Sequence, residues 1–557
     1  MSGIDQTPVG ELSDLYVETM AQLDPCSATA IGIRRYDEEI TDWSPTGIEA
    51  RANHDRETLR ALDELQVGSD DERRARDFMR ERLERDLALN DSDETYRMLN
   101  VLWSPMHRTR ACFDLMSRET PDEWEVVATR IEQVPDALIS LRLALGEGER
   151  RGVMSSRRQA LACAKQAKEF GGQGAGRGFF VDLVNGAEVD GRLAHRLAEA
   201  AARATQAYAD FAGYLADDYS GRAPTKDGVG EELYRLHAPQ YLGTEVEPIE
   251  SYEWGWEEVR RLDEQMRATA EEISPGASPE EARTILETDP ARAIRGEDEF
   301  IEWVQALMDE ALDALDGTHF DIPPETREVQ AFLAAAGSAA APYYSRPAED
   351  FSRPGRVWYP YRGRDDFPIW QEVTTCYHEA VPGHHLQFAT VVANRDRLTR
   401  FQRIGGVSGN AEGWALYAER LMGELGFLED PDRRFGMLAA QAARAARVVI
   451  DIGLHLELAI PDDAIFHPGK KWNPDLAQQI FAEWALQRDD FAASEIDRYL
   501  GIPGQAISYK LGEREWLELR EDDKRRRGSE FDLKDFHTRA LDVGCVGLAQ
   551  LQSELAG

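Results

Sequence analysis

Apolar residues recur at three- and four-residue spacing along almost the whole chain, over 10–24, 49–65, 70–90, 122–147, 155–169, 186–218, 251–273, 278–288, 297–315, 324–336, 366–391, 410–426, 431–459, 474–487, 489–500 and 532–555. A 3.6-residue period gathers them on one face of an α-helix, while Ala, Leu, Arg and Glu fill the other faces. A chain patterned this way is expected to be mainly α, a large multi-helix fold. Its 557 residues can bury roughly three quarters of the surface the unfolded chain exposes, so neither disulfides nor a metal are needed merely to hold it together. A metal site in such a chain is expected to be functional.

The main exception to the helical period is Gly355-Arg-Val-Trp-Tyr-Pro-Tyr361, a β-branched and aromatic run between Pro354-Gly355 and Arg362-Gly363. Its proline lacks the N–H a central strand needs, so an edge strand is expected, in a small β-sheet beside the active site. Residues Val357–Tyr361 would then be free to align an extended substrate by backbone pairing. The proline-rich stretch 342–355 marks the expected boundary between an N-terminal helical region, 1–345, and a C-terminal helical region, 346–557, that carries the chemistry. Gly171–Gly178 is glycine-rich but holds no G-x-G-x-x-G and follows no strand, so it reads as a helix–helix connection, with a lid as the alternative.

Charge narrows the function classes. There are 64 Lys+Arg against 103 Asp+Glu, a net −39 spread along the chain, which repels phosphate backbones and anionic lipid surfaces. No nucleic-acid or membrane partner is expected. Five cysteines, Cys26, Cys112, Cys163, Cys376 and Cys545, are far apart and form no C-x-x-C pair, which suits reduced thiols in a cytosol. The N-terminal residues show no signal-peptide pattern and no window is apolar enough to span a bilayer, so a cytoplasmic location is expected. Nothing in the sequence specifies an oligomeric state.

Three of the 11 histidines fall within eight residues, in His378-Glu-Ala-Val-Pro-Gly-His384-His385. Neutral imidazoles bind zinc, and an adjacent carboxylate can take a proton from water activated by the metal. In H-E-x-x-H the two imidazoles are four residues apart and converge from one helix face, with the Glu directed at the water. Here the spacing is six or seven. On an ideal helix His384 would lie roughly 120° around from His378, so an undistorted helix cannot make the site. Pro382, which lacks an N–H, and Gly383 predict a kink or a π-type bulge between the histidines, which would return His384 to the metal side. His385, on the His378 face of an ideal helix, is the rival ligand.

A third ligand is expected from a separate helix, in Gly409-Asn-Ala-Glu412-Gly-Trp-Ala-Leu-Tyr-Ala-Glu419. With Asn410 as N-cap, Glu412 falls in the first turn and Glu419 on nearly the same face. Glu412 is the preferred ligand, and Glu419 the residue that orients a histidine or a partner arginine.

Four segments, H-E-A-V-P-G-H-H-L-Q (378–387), A-E-G-W-A-L-Y-A-E (411–419), R-V-V-I-D-I-G-L-H (447–455) and P-G-Q-A-I-S-Y-K-L-G (503–512), resemble in order the bacterial family known as domain of unknown function 885. That family looks like a distant relative of the gluzincin metallopeptidases, helical carboxypeptidases and oligopeptidases with a deep cleft. The resemblance implies a zinc site of His378, a second histidine and Glu412, with Glu379 as general base.

Other residues take supporting roles. Tyr509 is the candidate donor to a tetrahedral oxyanion. Lys510 is a candidate for a substrate carboxylate. Arg447, Asp451 and His455, four apart, form a polar stripe on one helix face, either an intrahelical ladder or a substrate contact. His54, His107, His195, His237, His319, His467 and His537 read as structural, and Trp254, Trp256, Trp370 and Trp414 as core. Cys376 lies off the metal face and is not expected to act as a nucleophile.

The expected function is a zinc-dependent hydrolase of short peptides. A zinc amidase or esterase acting on a small non-peptide substrate is the alternative, and a helical binding protein with a structural metal a third. Two His and one Glu accept several divalent ions.

Overall fold

The computed structural model describes residues 3–174, 176–334, 341–360, 363 and 365–556. Helix starts follow local chemistry: the Thr7, Ser44 and Asn473 side chains each accept from a backbone N–H of the first turn, and a proline follows each at the first helical position. At Thr120 the cap is reciprocal, because the Glu123 carboxylate accepts from the Thr120 N–H in turn. The molecule is mainly helical, as its period predicts. Among the described residues, no helix is long and apolar enough to cross a membrane.

Several expected helices are divided. The run 122–147 becomes Pro121–Ile131 and Val134–Arg151, because Pro135 has no N–H to offer a helix interior. The run 532–555 becomes Leu533–Asp542 and Leu548–Ala556, separated by Gly544 at φ +84°. The run 324–336 is not helical over its described part: a short 3₁₀ turn, Pro324–Thr326, leads into the strand Val329–Ala334, and 335–336 lie outside the described residues.

The strand Gly355–Pro360 is central, not an edge. Val329–Ala334 runs parallel to it, Val329 opposite Gly355, and Tyr343–Ser345 runs antiparallel on the other side, Tyr343 opposite Trp358. Pro360 is tolerated because it stands at the last position of the ladder, opposite Ala334. With both sides of 356–358 occupied, that stretch has no free backbone edge for a substrate, and Tyr361 lies outside the described residues. A second pair of strands, Ala293–Arg295 and Asp366–Pro368, is antiparallel.

Three large apolar clusters hold the helices together. One runs from Cys26 to Ala223. A second joins Tyr234–Leu286 to Trp370 and to residues between Phe435 and Leu548, and a third joins Phe300–Tyr359 to residues between Val373 and Leu555. Both of the latter draw on either side of residue 345. The helix Glu372–Glu379 stands at their seam, with Trp370 just before it in one cluster and Val373, Cys376 and Tyr377 in the other. That seam holds the histidines.

Candidate metal centre

The expected helix 366–391 is cut in two. Glu372–Glu379 ends at Ala380, with φ −100° and ψ −109°, and a new helix, His384–Ala393, begins after Gly383. The Val381–Pro382 peptide between them is cis. The chain thus breaks fully where a kink or π-bulge was expected. Gly383 permits the fold-back: a Cβ there would stand 2.0 Å from the His378 carbonyl oxygen and 2.4 Å from that of Tyr377. The Trp414 indole N–H reaches back to the Pro382 and Gly383 carbonyls at 2.8 and 3.2 Å.

Trp414 belongs to the helix Ser408–Glu424, which also supplies Glu412 and Glu419. Asn410 is not its cap. The helix starts earlier, at Ser408, and the buried Asn410 amide donates to the Val546 carbonyl and accepts from Gln387. Glu412 therefore sits in the second turn. This helix meets Ser508–Arg527, the helix of Tyr509, backbone to backbone: a Cβ on Gly413 would lie 2.4 Å from the Gly512 carbonyl carbon.

The break brings His384 beside His378. Their rings are 4.8 Å apart and nearly perpendicular, at 81°. Glu412 Oε2 is 3.4 Å from His378 Nε2 and 3.5 Å from His384 Nε2. One donor atom from each of the three residues lies within 4.8 Å of the others. Glu412 Oε2 nonetheless has no hydrogen-bond partner, although it is buried. Two imidazoles and one carboxylate that converge at these distances are a donor set that suits a divalent cation.

Glu419 lies where it can fix the first ligand. Its Oε1 accepts from His378 Nδ1 at 2.7 Å, and its Oε2 accepts from Thr374, one turn before His378, at 2.9 Å. In the neutral ring a proton held on Nδ1 leaves the Nε2 lone pair to face a metal. Thr374 was not anticipated, though its four-residue spacing from His378 puts it on the same face. Burial pushes the His378 imidazole down, but Glu412, Glu419 and Glu379 overcome this and hold it at about 10. Burial pushes Glu412 up, and the two imidazoles hold it well below the usual carboxylate range. Burial raises Glu379. The field at this point strongly favours positive charge.

His385 has no electrons to give a metal. Its Nε2 donates to the Thr326 carbonyl at 2.7 Å and its Nδ1 accepts from the Tyr344 hydroxyl at 3.0 Å, under Gly355. Burial lowers it to about 4, so it is neutral. It ties the new helix to the sheet.

A cavity of about 240 Å³ opens onto His378, Glu379 and Glu419. Arg447 lines it, donating to Glu495 at 2.9 Å and to the Tyr499 hydroxyl at 3.0 Å, and its guanidinium covers the Tyr509 ring at 4.6 Å. Tyr509 is not among the residues that line the cavity; burial raises its phenol, and the Glu412 charge adds to that. Asp451 and His455 do not share the cavity. Asp451 accepts from the Tyr234 hydroxyl and the Gly504 N–H, with burial pushing it up to about 7, while His455 contacts the Tyr499 carbonyl and the Val229 N–H. The stripe divides because a wide helix face meets different neighbours along its length. Lys510 is also withdrawn: it is fully buried on Gln441, Glu513 and Glu258, away from any substrate. Cys376 is buried, which pushes its thiol up and leaves it inert.

The fold covers 99% of this chain and 99% of "the putative lipoprotein from Colwellia psychrerythraea", at a TM-score of 0.83 and 22% identity. It covers 99% of this chain and 100% of "a putative lipoprotein of unknown function from Shewanella oneidensis", at a TM-score of 0.75 and 17% identity. At these identities the likeness is one of fold. No curated protein matches the sequence. The model of a family described as bacterial protein of unknown function (DUF885) matches residues 25–555, nearly the whole length, and the chain belongs to that family.

Proposed function

We propose that the chain is a metal-dependent hydrolase of short peptides, with zinc held by His378, His384 and Glu412 and a distant gluzincin-like ancestry. The observation that carries this reading is the convergence of those three donors, with His378 and the adjacent Glu379 lining a cavity. When bound, the ion supplies Lewis-acid polarisation of a carbonyl and lowers the pKa of water. The remaining work falls to side chains. Glu379 takes the proton of the attacking water and returns it to the leaving nitrogen. A structural metal has no use for such a carboxylate beside its ligands. Glu419 keeps the His378 proton on Nδ1 and the ring in place. Tyr509, oriented by the Arg447 guanidinium over its ring, donates to the carbonyl oxygen as it becomes anionic, a role worth about 3 kcal/mol per donor.

Elemental analysis of wild type, Glu379→Gln and His378→Ala, with a short-peptide library digested by the same samples, tests the reading. About one zinc per chain is expected in wild type and Glu379→Gln and little in His378→Ala. Cleavage should be confined to wild type. Zinc without peptide cleavage would shift the reading to a non-peptide amide or ester, and absence of metal after reconstitution would end it.

A further inference from the structure

The cavity that His378 and Glu379 line also carries four arginines, in a chain with 39 more acidic than basic residues. Most arginines here are matched with a carboxylate, and two of the four in the cavity are: Arg447 donates to Glu495 and Arg488 to Asp490. Arg283 and Arg444 differ. Among the described residues neither has an ion pair, and each has a buried Nε without a hydrogen-bond partner. Among the described residues Arg444 makes a single bond, from Nη1 to the Ala440 carbonyl one turn back, and Arg283 makes none. A guanidinium presents five donors in a fixed fork, and desolvating it without an acceptor is costly. Two of them lining one cavity, each with a buried Nε that lacks a partner in a chain so rich in carboxylates, mark a place kept for an acceptor that arrives with a ligand.

The ligand's charge is limited by the rest of the wall. Glu287, Glu372, Glu379 and Glu419 line the same cavity, so a doubly charged phosphate would meet opposing carboxylates, whereas a single carboxylate matches the arginine fork. The size points the same way. At about 240 Å³ the cavity is smaller than the roughly 300–1,000 Å³ of sites that take a whole drug-sized molecule, and it suits one end of a chain.

We propose that Arg283 and Arg444 form the subsite for a substrate carboxylate, the C-terminal carboxylate of a short peptide, so that the protein works from that end as a carboxypeptidase. This rests on the hydrolase reading above for the reaction, and on the arginines alone for the binding.

Binding and cleavage are measured separately. Calorimetry on Glu379→Gln uses three probes: an N-acetyl tripeptide mixture as free acid, the same mixture as C-terminal amide, and an amidated mixture with Asp or Glu in the middle. The free acid should bind about 10- to 100-fold more tightly than its amide. Adding Arg444→Ala or Arg283→Ala should remove most of that preference, while Arg444→Lys, which keeps the charge and lacks the fork, should retain part of it and shows that the site still folds. Equal binding of acid and amide, no binding of either, or a preference untouched by both alanine variants overturns the subsite. Preference for the acidic amidated mixture overturns the terminal assignment in favour of a side-chain carboxylate. Wild-type cleavage of the same mixtures is the second arm. An acid preference in binding with no cleavage would fault the hydrolase reading and keep the subsite, whereas equal cleavage of acid and amide would do the reverse.

Discussion

Two arginines, one wholly buried and one half-buried, show how differently two regions of the molecule use polar groups. Arg130, in the N-terminal helical region, is wholly buried, and each of its nitrogens has a partner: Nε donates to the Glu39 carbonyl, Nη1 to Thr29 beside Asp37, and Nη2 to the Pro25 carbonyl. Arg444, in the cavity, holds one backbone bond and leaves its Nε without a partner. The histidines divide the same way. His385 and His455 have both ring nitrogens occupied, whereas His384 Nδ1 has no partner and its Nε2 faces Glu412. Satisfied polar groups hold a fold together, and unsatisfied ones in a native protein point to something that binds.

The comparison is broken most directly at Arg130. Arg130→Ala removes the guanidinium that donates to Thr29, to the Pro25 carbonyl and to the Glu39 carbonyl, and leaves the buried Asp37 carboxylate without its cation, which should cost about 3–5 kcal/mol in denaturant unfolding. A loss within the error of the measurement would mean that satisfied networks here are no more structural than the cavity. An intermediate effect is expected at Glu419, which belongs to both classes because it is fully bonded yet serves the centre. Glu419→Ala should weaken zinc binding about 10- to 100-fold in a chelator competition titration. Unchanged affinity would show that Glu419 is packing alone. The smallest effect is expected at Arg444. With almost no native bonds to lose, Arg444→Ala should move stability by no more than about 0.5 kcal/mol. A loss comparable to that of Arg130→Ala would return Arg444 to the structural class and remove the contrast.

Much of the centre was legible because its signals are local. His378, Glu379 and Pro382-Gly383 signal a distortion between two histidines, expected as a kink or π-type bulge and found as a full break, and the seven-residue spacing of Glu412 and Glu419 places both on one helix. What the sequence could not convey depends on distant partners. His384 and His385 are neighbours, and the partners that occupy the second, Thr326 and Tyr344, lie 59 and 41 residues away. The strand Val329–Ala334 reads as helix because its alanines and apolar residues fit that period, while the pairing that makes it a strand begins opposite Gly355. Lys510 has a long side chain whose direction is set by Glu513, one turn on in its own helix, and by Gln441 and Glu258, which tertiary packing brings. The cavity arginines carried no signal in spacing, since their distinction is the lack of partners.

The indole of Trp414, bonded to the turn at Pro382 and Gly383, ties the two halves of the centre through protein alone. The helix that brings Glu412 thus also grips the turn that presents His384. On the metal reading proposed above, a centre tied together by protein contacts alone should take up an ion without a folding step, and its choice among divalent ions would follow supply as much as preference.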